Sequence, residues 1–99
     1  MRDDLITLRQ LTANKRPDGV METTAKEKTI FCRVDSVSGS EFFAAGQNGI
    51  HPEYRFTVWA DEYSGEKEVA YNGKEYRVYR TYRATEDLIE LYAEERTGV

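Results

Sequence analysis

The chain has 99 residues, with 14 Lys and Arg against 18 Asp and Glu and a net charge of −4. This length predicts a single domain over residues 1–99 with a modest hydrophobic core. The acidic balance argues against a protein that gains affinity for nucleic acid by neutralising its phosphates. The one cysteine excludes an intramolecular disulfide and a cysteine-based zinc site, and it fits a reducing cytoplasm.

The sequence offers no signal for export or for insertion into a membrane. Its start, Met1-Arg2-Asp3-Asp4, is acidic and has no apolar h-region. No apolar run approaches the ~20 residues that span a bilayer. We therefore expect a chain that is neither exported by a standard signal nor embedded in a membrane.

Two segments near the start alternate between apolar and polar residues, which is typical of strands with one buried face. The first is Leu5 to Leu11 and the second is Thr29 to Val37. Their apolar faces hold Ile6 and Leu8 in the first segment, and Ile30, Cys32 and Val34 in the second. Cys32 is accordingly predicted to be a small core residue.

The segment between these strands, Thr12 to Lys28, is polar and shows no apolar periodicity. It contains Pro17-Asp18-Gly19, a turn signature. We therefore predict a long polar loop.

A short helix is predicted to follow the second strand. Ser38-Gly39-Ser40-Glu41 matches the S-x-x-E capping box, in which the serine oxygen accepts a backbone N–H and the glutamate side chain reaches back to the cap. The helix should have two turns at most, with a buried side formed by Phe42, Phe43 and Ala45. It should end at Gly46, Asn48 and Gly49, because glycine and asparagine tolerate the left-handed conformation of a helix C-terminus.

The second half of the chain carries further β signals. Tyr54 to Ala60 alternates, and Glu68 to Arg80 is interrupted by Asn72-Gly73, which favours a type I′ turn because both residues accept positive φ. Tyr54, Phe56, Val58 and Ala60 share one face of the first of these strands. After a polar link from Thr81 to Asp87, the segment Leu88 to Glu95 is interpreted as a strand with Ile89, Leu91 and Ala93 on one face. A helix is the competing interpretation, since Leu88, Leu91 and Tyr92 fit helical spacing.

Together these elements predict a mainly β fold. We expect a small antiparallel β-barrel or sandwich of five to six strands, with one short helix and long loops.

The residues that could carry chemistry do not form a known catalytic or ligand-binding pattern. His51, the one histidine, precedes Pro52 in a predicted loop, where an isolated histidine is more often solvated or packed than catalytic. The spacing of Asp61, Glu62, Glu66 and Glu68 does not follow a calcium loop, which favours a solvated acidic loop. The glycines match no nucleotide-binding motif. We expect no enzymatic activity, no metal and no cofactor.

The twelve aromatic residues raise the question of base stacking, as on an OB-fold. Tyr54, Arg55, Phe56 and Trp59 are the obvious candidates, but alternation already assigns Tyr54 and Phe56 to the core. Tyrosine is also enriched at protein interfaces, and Tyr76, Tyr79 and Tyr82 are possible anchors of that kind. We favour the ordinary core for any single residue, and an interface over a nucleic-acid platform.

In the order of its elements the chain resembles the bacteriophage head closure proteins, the small head-tail joining or stopper family of long-tailed phages. The resemblance covers nearly the whole chain. It is carried by the strand Leu5 to Leu11 with its long loop, the step from Val34 to Gln47 with Ser40-Glu41-Phe42-Phe43, the strand Tyr54 to Ala60, the hairpin Val69 to Val78 with Tyr71-Asn72-Gly73-Lys74, and the closing Ile89-Glu90-Leu91.

The resemblance implies a β-barrel virion protein without enzymatic activity, made in the host bacterial cytoplasm and located in the neck at the head-tail interface. Members form a homo-oligomeric ring, a hexamer or dodecamer, below the portal and adaptor and above the tail terminator or tail tube. Packaged double-stranded DNA passes through the ring without sequence-specific binding. The ring closes the head channel, retains this DNA and presents a docking surface to the tail.

The resemblance also assigns residues to the two kinds of surface. The segment after the short helix is expected to face the channel: Gly46, Gln47, Asn48, Gly49, Ile50, His51, Pro52 and Glu53. The segments Thr12 to Lys28 and Asp61 to Lys67 are expected to contact neighbouring subunits or rings. The interface candidates are Arg16, Pro17, Asp18, Asp61, Glu62, Tyr63, Glu66 and Tyr82.

Alternatives remain open at this stage. Another neck component, an adaptor or a tail terminator, is the nearest, although adaptors are typically rich in helix. An OB-like module that binds single-stranded nucleic acid belongs to a second class. A small enzyme belongs to a third, for which the sequence offers no residues.

Overall fold

Residues 4–96 are described by a computed structural model, and they form six strands with one α-helix between the second and the third. The bounds are β1 (Asp4–Lys15), β2 (Met21–Asp35), α1 (Gly39–Gly46), β3 (Pro52–Trp59), β4 (Glu68–Tyr71), β5 (Lys74–Arg83) and β6 (Leu88–Glu95), with a 3-10 turn at Ala60–Glu62. All strand pairs are antiparallel in the order β1-β2-β3-β6-β5-β4, and β4 pairs back with β1 to close a barrel. The predicted mainly β fold is confirmed.

The barrel interior is filled by side chains that alternate inward from all six strands. These are Ile6, Leu8, Ile30, Cys32, Phe56, Val58, Val69, Tyr76, Val78, Leu91 and Ala93. The apolar faces predicted for the strands are therefore confirmed except at Ala60, which lies in the 3-10 turn after β3 and outside the core. Val34, Tyr54 and Ile89 are partly buried at the margin of the core. The aromatic rings meet edge to face, as Tyr54 and Tyr76 do with centroids 5.4 Å apart, which is a favoured arrangement for such pairs.

The segment predicted to be a long loop is instead a projecting pair of strands, so that prediction is wrong. β1 and β2 stay paired as far as Lys15 and Met21. Since β4 pairs with β1 only at Thr7 to Arg9, and β3 with β2 only at Arg33 to Asp35, residues 10–26 have no third strand within the described chain. All of them are exposed. We call residues 10–26 the arm; because no face of it is packed, only weak alternation marks its strands.

The second half of the barrel follows the sequence more closely. Asn72 and Gly73 have φ values of 53° and 82° and join β4 to β5, which confirms the predicted turn. The strand interpretation of residues 88–95 is also confirmed. The polar link is shorter than predicted, because β5 continues to Arg83 and pairs there with Ile89 of β6.

Cys32 tests the closure of the barrel, because its side chain has no exposed surface. Burial raises the pKa of its thiol from 9.0 to about 12. We expect iodoacetamide to leave the folded chain unlabelled at about pH 8 and to label it fully in urea, because the buried thiol is both inaccessible and protonated. Intact-mass spectrometry measures both outcomes, and labelling of the folded chain at the rate of a free thiol would contradict a closed barrel.

The same raised pKa has a consequence at alkaline pH. Because the folded-state pKa of Cys32 lies above the unfolded one, its contribution to stability is fully present below about pH 9 and is lost as the pH rises toward about 12. The pKa of Tyr63, raised by burial to about 12, acts in the same direction. The folded chain should therefore lose stability over this window, measured as a falling urea midpoint.

Candidate functional site

Helix α1 begins at the predicted cap and is fixed to the barrel by a glutamate. Ser38 Oγ accepts the backbone N–H of Glu41 at 3.2 Å, so the predicted N-cap is confirmed. The Glu41 carboxylate, however, does not reach back to Ser38. It accepts the Tyr79 hydroxyl at 2.7 Å and Arg80 Nε at 3.1 Å. This half of the capping-box prediction is wrong, because β5 brings two side-chain donors within reach and one of them is charged.

These contacts form a partly buried ion pair. The Glu41 side chain is 13% exposed. Hydrogen bonding to Arg80 holds the pKa of the Glu41 carboxyl below its ordinary value, against the opposing effect of burial. Arg80 in turn lies over the Tyr92 ring, with its guanidinium carbon 4.1 Å from the ring centroid. We call Glu41, Tyr79, Arg80 and Tyr92 the helix clamp.

The clamp leaves two phenylalanines of α1 pointing to solvent. The sequence predicts Phe42, Phe43 and Ala45 as the buried side of the helix, but only Ala45 is buried. Phe42 is 51% and Phe43 77% exposed, so the prediction is wrong for both. The reason is that the helix is anchored through Glu41, one residue earlier, which turns the two rings away from the barrel. We call Phe42 and Phe43 the phenylalanine pair.

The predicted channel segment follows directly and is less free than the sequence suggests. Asn48 and Ile50 both donate their backbone N–H to the Ala45 carbonyl, at 3.0 and 3.1 Å. Gly49 has a φ of +77°, which agrees with its predicted role in ending the helix. The first half of the segment is thus a hydrogen-bonded helix terminus rather than an open loop.

The end of the same segment belongs to the barrel. Pro52 is buried and pairs with Glu94, and Glu53 lies at an irregularity in β3. The expectation of a free segment up to Glu53 is therefore corrected. The exposed residues of the segment are Gly46, Gln47, Asn48, Gly49, His51 and Glu53, and Glu53 already lies within β3. Its orientation toward a channel stays a prediction.

The interface candidates Arg16, Pro17 and Asp18 lie at the tip of the arm. The turn is closed by the Arg16 N–H donating to the Val20 carbonyl at 2.8 Å. The Asp18 carboxylate accepts the Val20 N–H at 3.0 Å and lies 3.4 Å from the Arg16 guanidinium. The predicted turn is confirmed, and it lies at the end of the hairpin that is farthest from the barrel.

The second candidate interface, Asp61 to Lys67, has two parts in different environments: one is held by hydrogen bonds within its own loop and the other lines an open groove. The Tyr63 hydroxyl donates to the Glu66 carbonyl at 2.7 Å, and the Glu66 carboxylate accepts the Ser64 N–H at 2.7 Å. Glu66 is buried, with Lys28 Nζ 3.7 Å from its carboxylate. The interpretation of Glu66 as a solvated acidic residue is therefore wrong, and its side chain stabilises its own loop.

Asp61 and Glu62 lie instead in an open groove of about 490 Å³. The other lining residues are Trp59, Ala60, Arg83, Glu86 and Asp87. The Arg83 guanidinium donates to the backbone carbonyls of Thr85 and Glu86, at 3.3 and 2.7 Å, and so holds the β5–β6 turn at one side of the groove. The last interface candidate, Tyr82, is 56% exposed on β5.

The four residues considered for base stacking do not form an exposed platform. Of the four candidates, Phe56 is fully buried, Tyr54 packs against the core, and Arg55 is half-buried beside Asp35. Trp59 alone among the four is exposed. The suggested interface anchors also separate, since Tyr76 is buried in the core and Tyr79 belongs to the clamp.

Within residues 4–96, His, Cys, Asp and Glu side chains form no group of three or more that could hold a metal ion. Over the same residues, no helix has the length and apolar character needed to cross a bilayer. A scan against protein-family models finds no match to this sequence, and a search of curated proteins finds no significant match either.

Glu41→Gln should release helix α1 from the barrel. The variant keeps the shape of the side chain but removes the charge that pairs with Arg80, so we expect the free energy of unfolding to fall by about 1–2 kcal/mol. A matched control is Glu27→Gln, which removes one of the two carboxylates that pair with exposed Arg9 and should have the smaller effect, because solvent screens exposed pairs. Urea denaturation measures both, and equal losses would contradict the clamp.

The pH dependence of this difference has a definite sign. Because the pKa of folded Glu41 is lowered, the advantage of the unsubstituted chain over Glu41→Gln should be present at neutral pH. It should be lost as the pH falls through that depressed pKa and the carboxylate is protonated. An advantage that grows on acidification would exclude the ion pair as its source.

Proposed function

We propose that this chain is a structural protein of the bacteriophage neck, a head closure or stopper subunit. It forms a homo-oligomeric ring below the portal and adaptor and above the tail terminator or tail tube. The ring closes the head channel, retains packaged double-stranded DNA and provides the surface on which the tail docks. Its place is the virion, after synthesis in the bacterial cytoplasm.

The observation that carries this proposal is the arm. The arm runs for six residue pairs beyond the barrel, from Gln10 opposite Lys26 to Lys15 opposite Met21, which corresponds to about 20 Å of strand. The molecule accordingly measures 50 × 31 × 26 Å. A two-stranded ribbon is marginally stable by itself. An extension of this kind is therefore better explained by contact with a neighbouring molecule than by the needs of the barrel.

The two ends of helix α1 support the same proposal. The clamp fixes the helix through Glu41, while the exposed residues Gly46 to Gly49 follow at its other end. Such an arrangement holds a short, nearly uncharged turn at a defined position on a rigid barrel. This is what a ring needs if each subunit is to contribute one turn to a narrow channel.

A single-strand binding module is supported less well. Stacking along single-stranded nucleic acid needs several exposed aromatic rings beside a basic groove. Among its four candidates only Trp59 is exposed, and its groove is lined by Asp61, Glu62, Glu86 and Asp87 with one arginine. Four carboxylates around the one exposed ring of this set repel phosphates.

Assembly with purified portal and adaptor rings tests the function directly. The full chain, mixed with both rings, should form a further ring that docks coaxially, seen by electron microscopy and by native mass spectrometry. A chain that stays inert toward portal, adaptor and tail components would overturn the proposal. Binding of single-stranded DNA with quenching of Trp59 fluorescence would favour the alternative instead.

The double variant Gln47→Glu with Asn48→Asp tests the channel turn without cutting into β3. Both side chains are exposed, and the only side-chain hydrogen bond shown for them is the long one from Asn48 to the Ala44 carbonyl at 3.4 Å, so we expect the chain still to fold and to form the ring. Two added carboxylates facing DNA should weaken closure, so particles should package DNA and then lose it, measured as DNase-sensitive DNA. Lys74→Glu is the matched control, because it makes the same change in charge on the exposed β4–β5 hairpin and removes only an exposed ion pair with Glu95. If the double variant and the control retain packaged DNA equally, the turn from Gly46 to Gly49 does not close the channel.

A further inference from the structure

The chain contains the dipeptide Asn-Gly twice, as Asn48-Gly49 and as Asn72-Gly73. In this dipeptide the backbone nitrogen of glycine reaches the side-chain carbonyl carbon (Cγ) of asparagine more easily than in other pairs, because glycine has no side chain to obstruct the approach. All four residues are exposed to solvent. The sequence therefore gives the two dipeptides the same reactivity, and only their folded environments distinguish them.

The β4–β5 turn holds Asn72 close to the backbone conformation that this attack needs. Asn72 has a φ of 53° and Gly73 a φ of 82°, between the paired residues Tyr71 and Lys74. Rotation of the peptide group between the two central residues converts such a type I′ turn into a type II′ turn, whose first central residue keeps a positive φ and takes a ψ of about −120°. That ψ places the glycine nitrogen on the same side of the Cα–C bond as Cβ, as closure of a five-membered ring requires.

The surroundings of the Gly73 nitrogen leave room for this rotation. Within residues 4–96, no hydrogen bond of a turn or loop engages the Gly73 N–H. A side chain built at Gly73 would meet no atom within 4 Å, so the space around the turn is open. Both kinds of hairpin turn join paired strands, so the rotation does not require β4 and β5 to separate.

Hydrogen bonds hold the other dipeptide against the same attack. The Gly49 N–H, which is the attacking group, donates to the Gly46 carbonyl at 3.0 Å. The side-chain amide of Asn48 donates to the Ala44 carbonyl at 3.4 Å. Both bonds must break before the Gly49 nitrogen reaches Cγ of Asn48.

We propose that Asn72 is a site of spontaneous deamidation in the folded chain and that the helix terminus protects Asn48 from the same reaction. The Gly73 nitrogen loses its proton to hydroxide and bonds to Cγ of Asn72. The bond from Cγ to the side-chain nitrogen then breaks, and this nitrogen takes a proton from water and leaves as ammonia. The product is a cyclic imide, and the site exists whether or not the chain forms the proposed ring.

Water opens the imide at either of its two carbonyls. Opening at Cγ gives aspartate on a normal backbone. Opening at the main-chain carbonyl gives isoaspartate, in which the backbone runs through the former side chain and is longer by a CH₂ group. The net reaction consumes water and releases ammonia in equal amounts, and nothing is oxidised or reduced.

Isoaspartate at position 72 acts on the closure of the barrel. The length of the turn fixes the register of β4 on β5, and β4 pairs with β1 at only three positions. A longer turn therefore loosens the strand that closes the barrel. At Asn48 the same reaction would add a negative charge to the turn from Gly46 to Gly49, so the hydrogen bonds that protect Asn48 also keep that turn uncharged.

Peptide mapping by mass spectrometry tests the site, with the full chain aged in mildly alkaline buffer, once folded and once in urea. In urea both dipeptides are unstructured and should convert at similar rates, which makes the unfolded chain the internal control. In the folded chain we expect Asn72 to convert roughly tenfold faster than Asn48 or more, because two hydrogen bonds protect Asn48. Equal rates in the folded chain, faster conversion of Asn48, or no conversion of Asn72 there overturns the proposal.

The variant Asn72→Asp separates the effect of the new charge from that of the longer backbone. The isoaspartate form of the aged chain is isolated by chromatography, and its urea midpoint is compared with that of Asn72→Asp. We expect the isoaspartate form to unfold at the lower urea concentration, because it alone has the lengthened turn. Equal midpoints would overturn the link between this modification and barrel closure.

Discussion

The short ladder between β1 and β4 is the constraint on which the rest of the structure depends. It spans only three residue pairs, from Thr7 opposite Ala70 to Arg9 opposite Glu68, yet it closes the barrel and brings Leu8 and Val69 together in the core. It also ends abruptly. Beyond Arg9, β1 keeps only β2 as a partner, so the chain leaves the barrel as a two-stranded ribbon. The same ladder that encloses the core therefore defines where the arm begins.

Helix α1 depends on a second, polar constraint. Eight residues are too few for a helix to be stable from its own hydrogen bonds, and α1 buries only Ala45. The clamp supplies what packing does not, through charged and neutral hydrogen bonds from β5 to Glu41. Because hydrogen bonds to Glu41 hold the helix on the barrel, its apolar side chains are not needed for packing, and Phe42 and Phe43 are exposed to solvent. This is costly for a monomer in water and useful for a subunit of an assembly.

The sequence predicts the fold better than it predicts the surfaces. Strand faces such as Ile6 and Leu8 follow directly from alternation, and Asn72-Gly73 allows few structures other than a tight hairpin. The sequence does not predict the strands of the arm, because leucine, alanine and methionine among threonines give only weak apolar alternation when neither face is packed. The sequence does not predict the hydrogen-bond partners of the Glu41 carboxylate. Arg80 lies 39 residues away, and only the folded barrel brings the two side chains together. Sequence rules based on neighbouring residues thus fail where contacts between distant parts of the chain decide the local structure.

If the chain forms the proposed ring, the energetics of the arm would limit premature assembly. Its outer edges carry backbone groups that have no strand partner among the described residues, and Lys15, Glu22 and Lys26 place charges along its two strands. Charges at an open edge discourage pairing with arbitrary strands. Ordering the arm on a partner costs side-chain entropy, which a single contact of this size offsets only in part. The proposed ring would change that balance, because closure would give every subunit two contacts and a partner already held in place. We therefore expect assembly to be favoured strongly only where a template, such as a ring already in position, gathers the subunits.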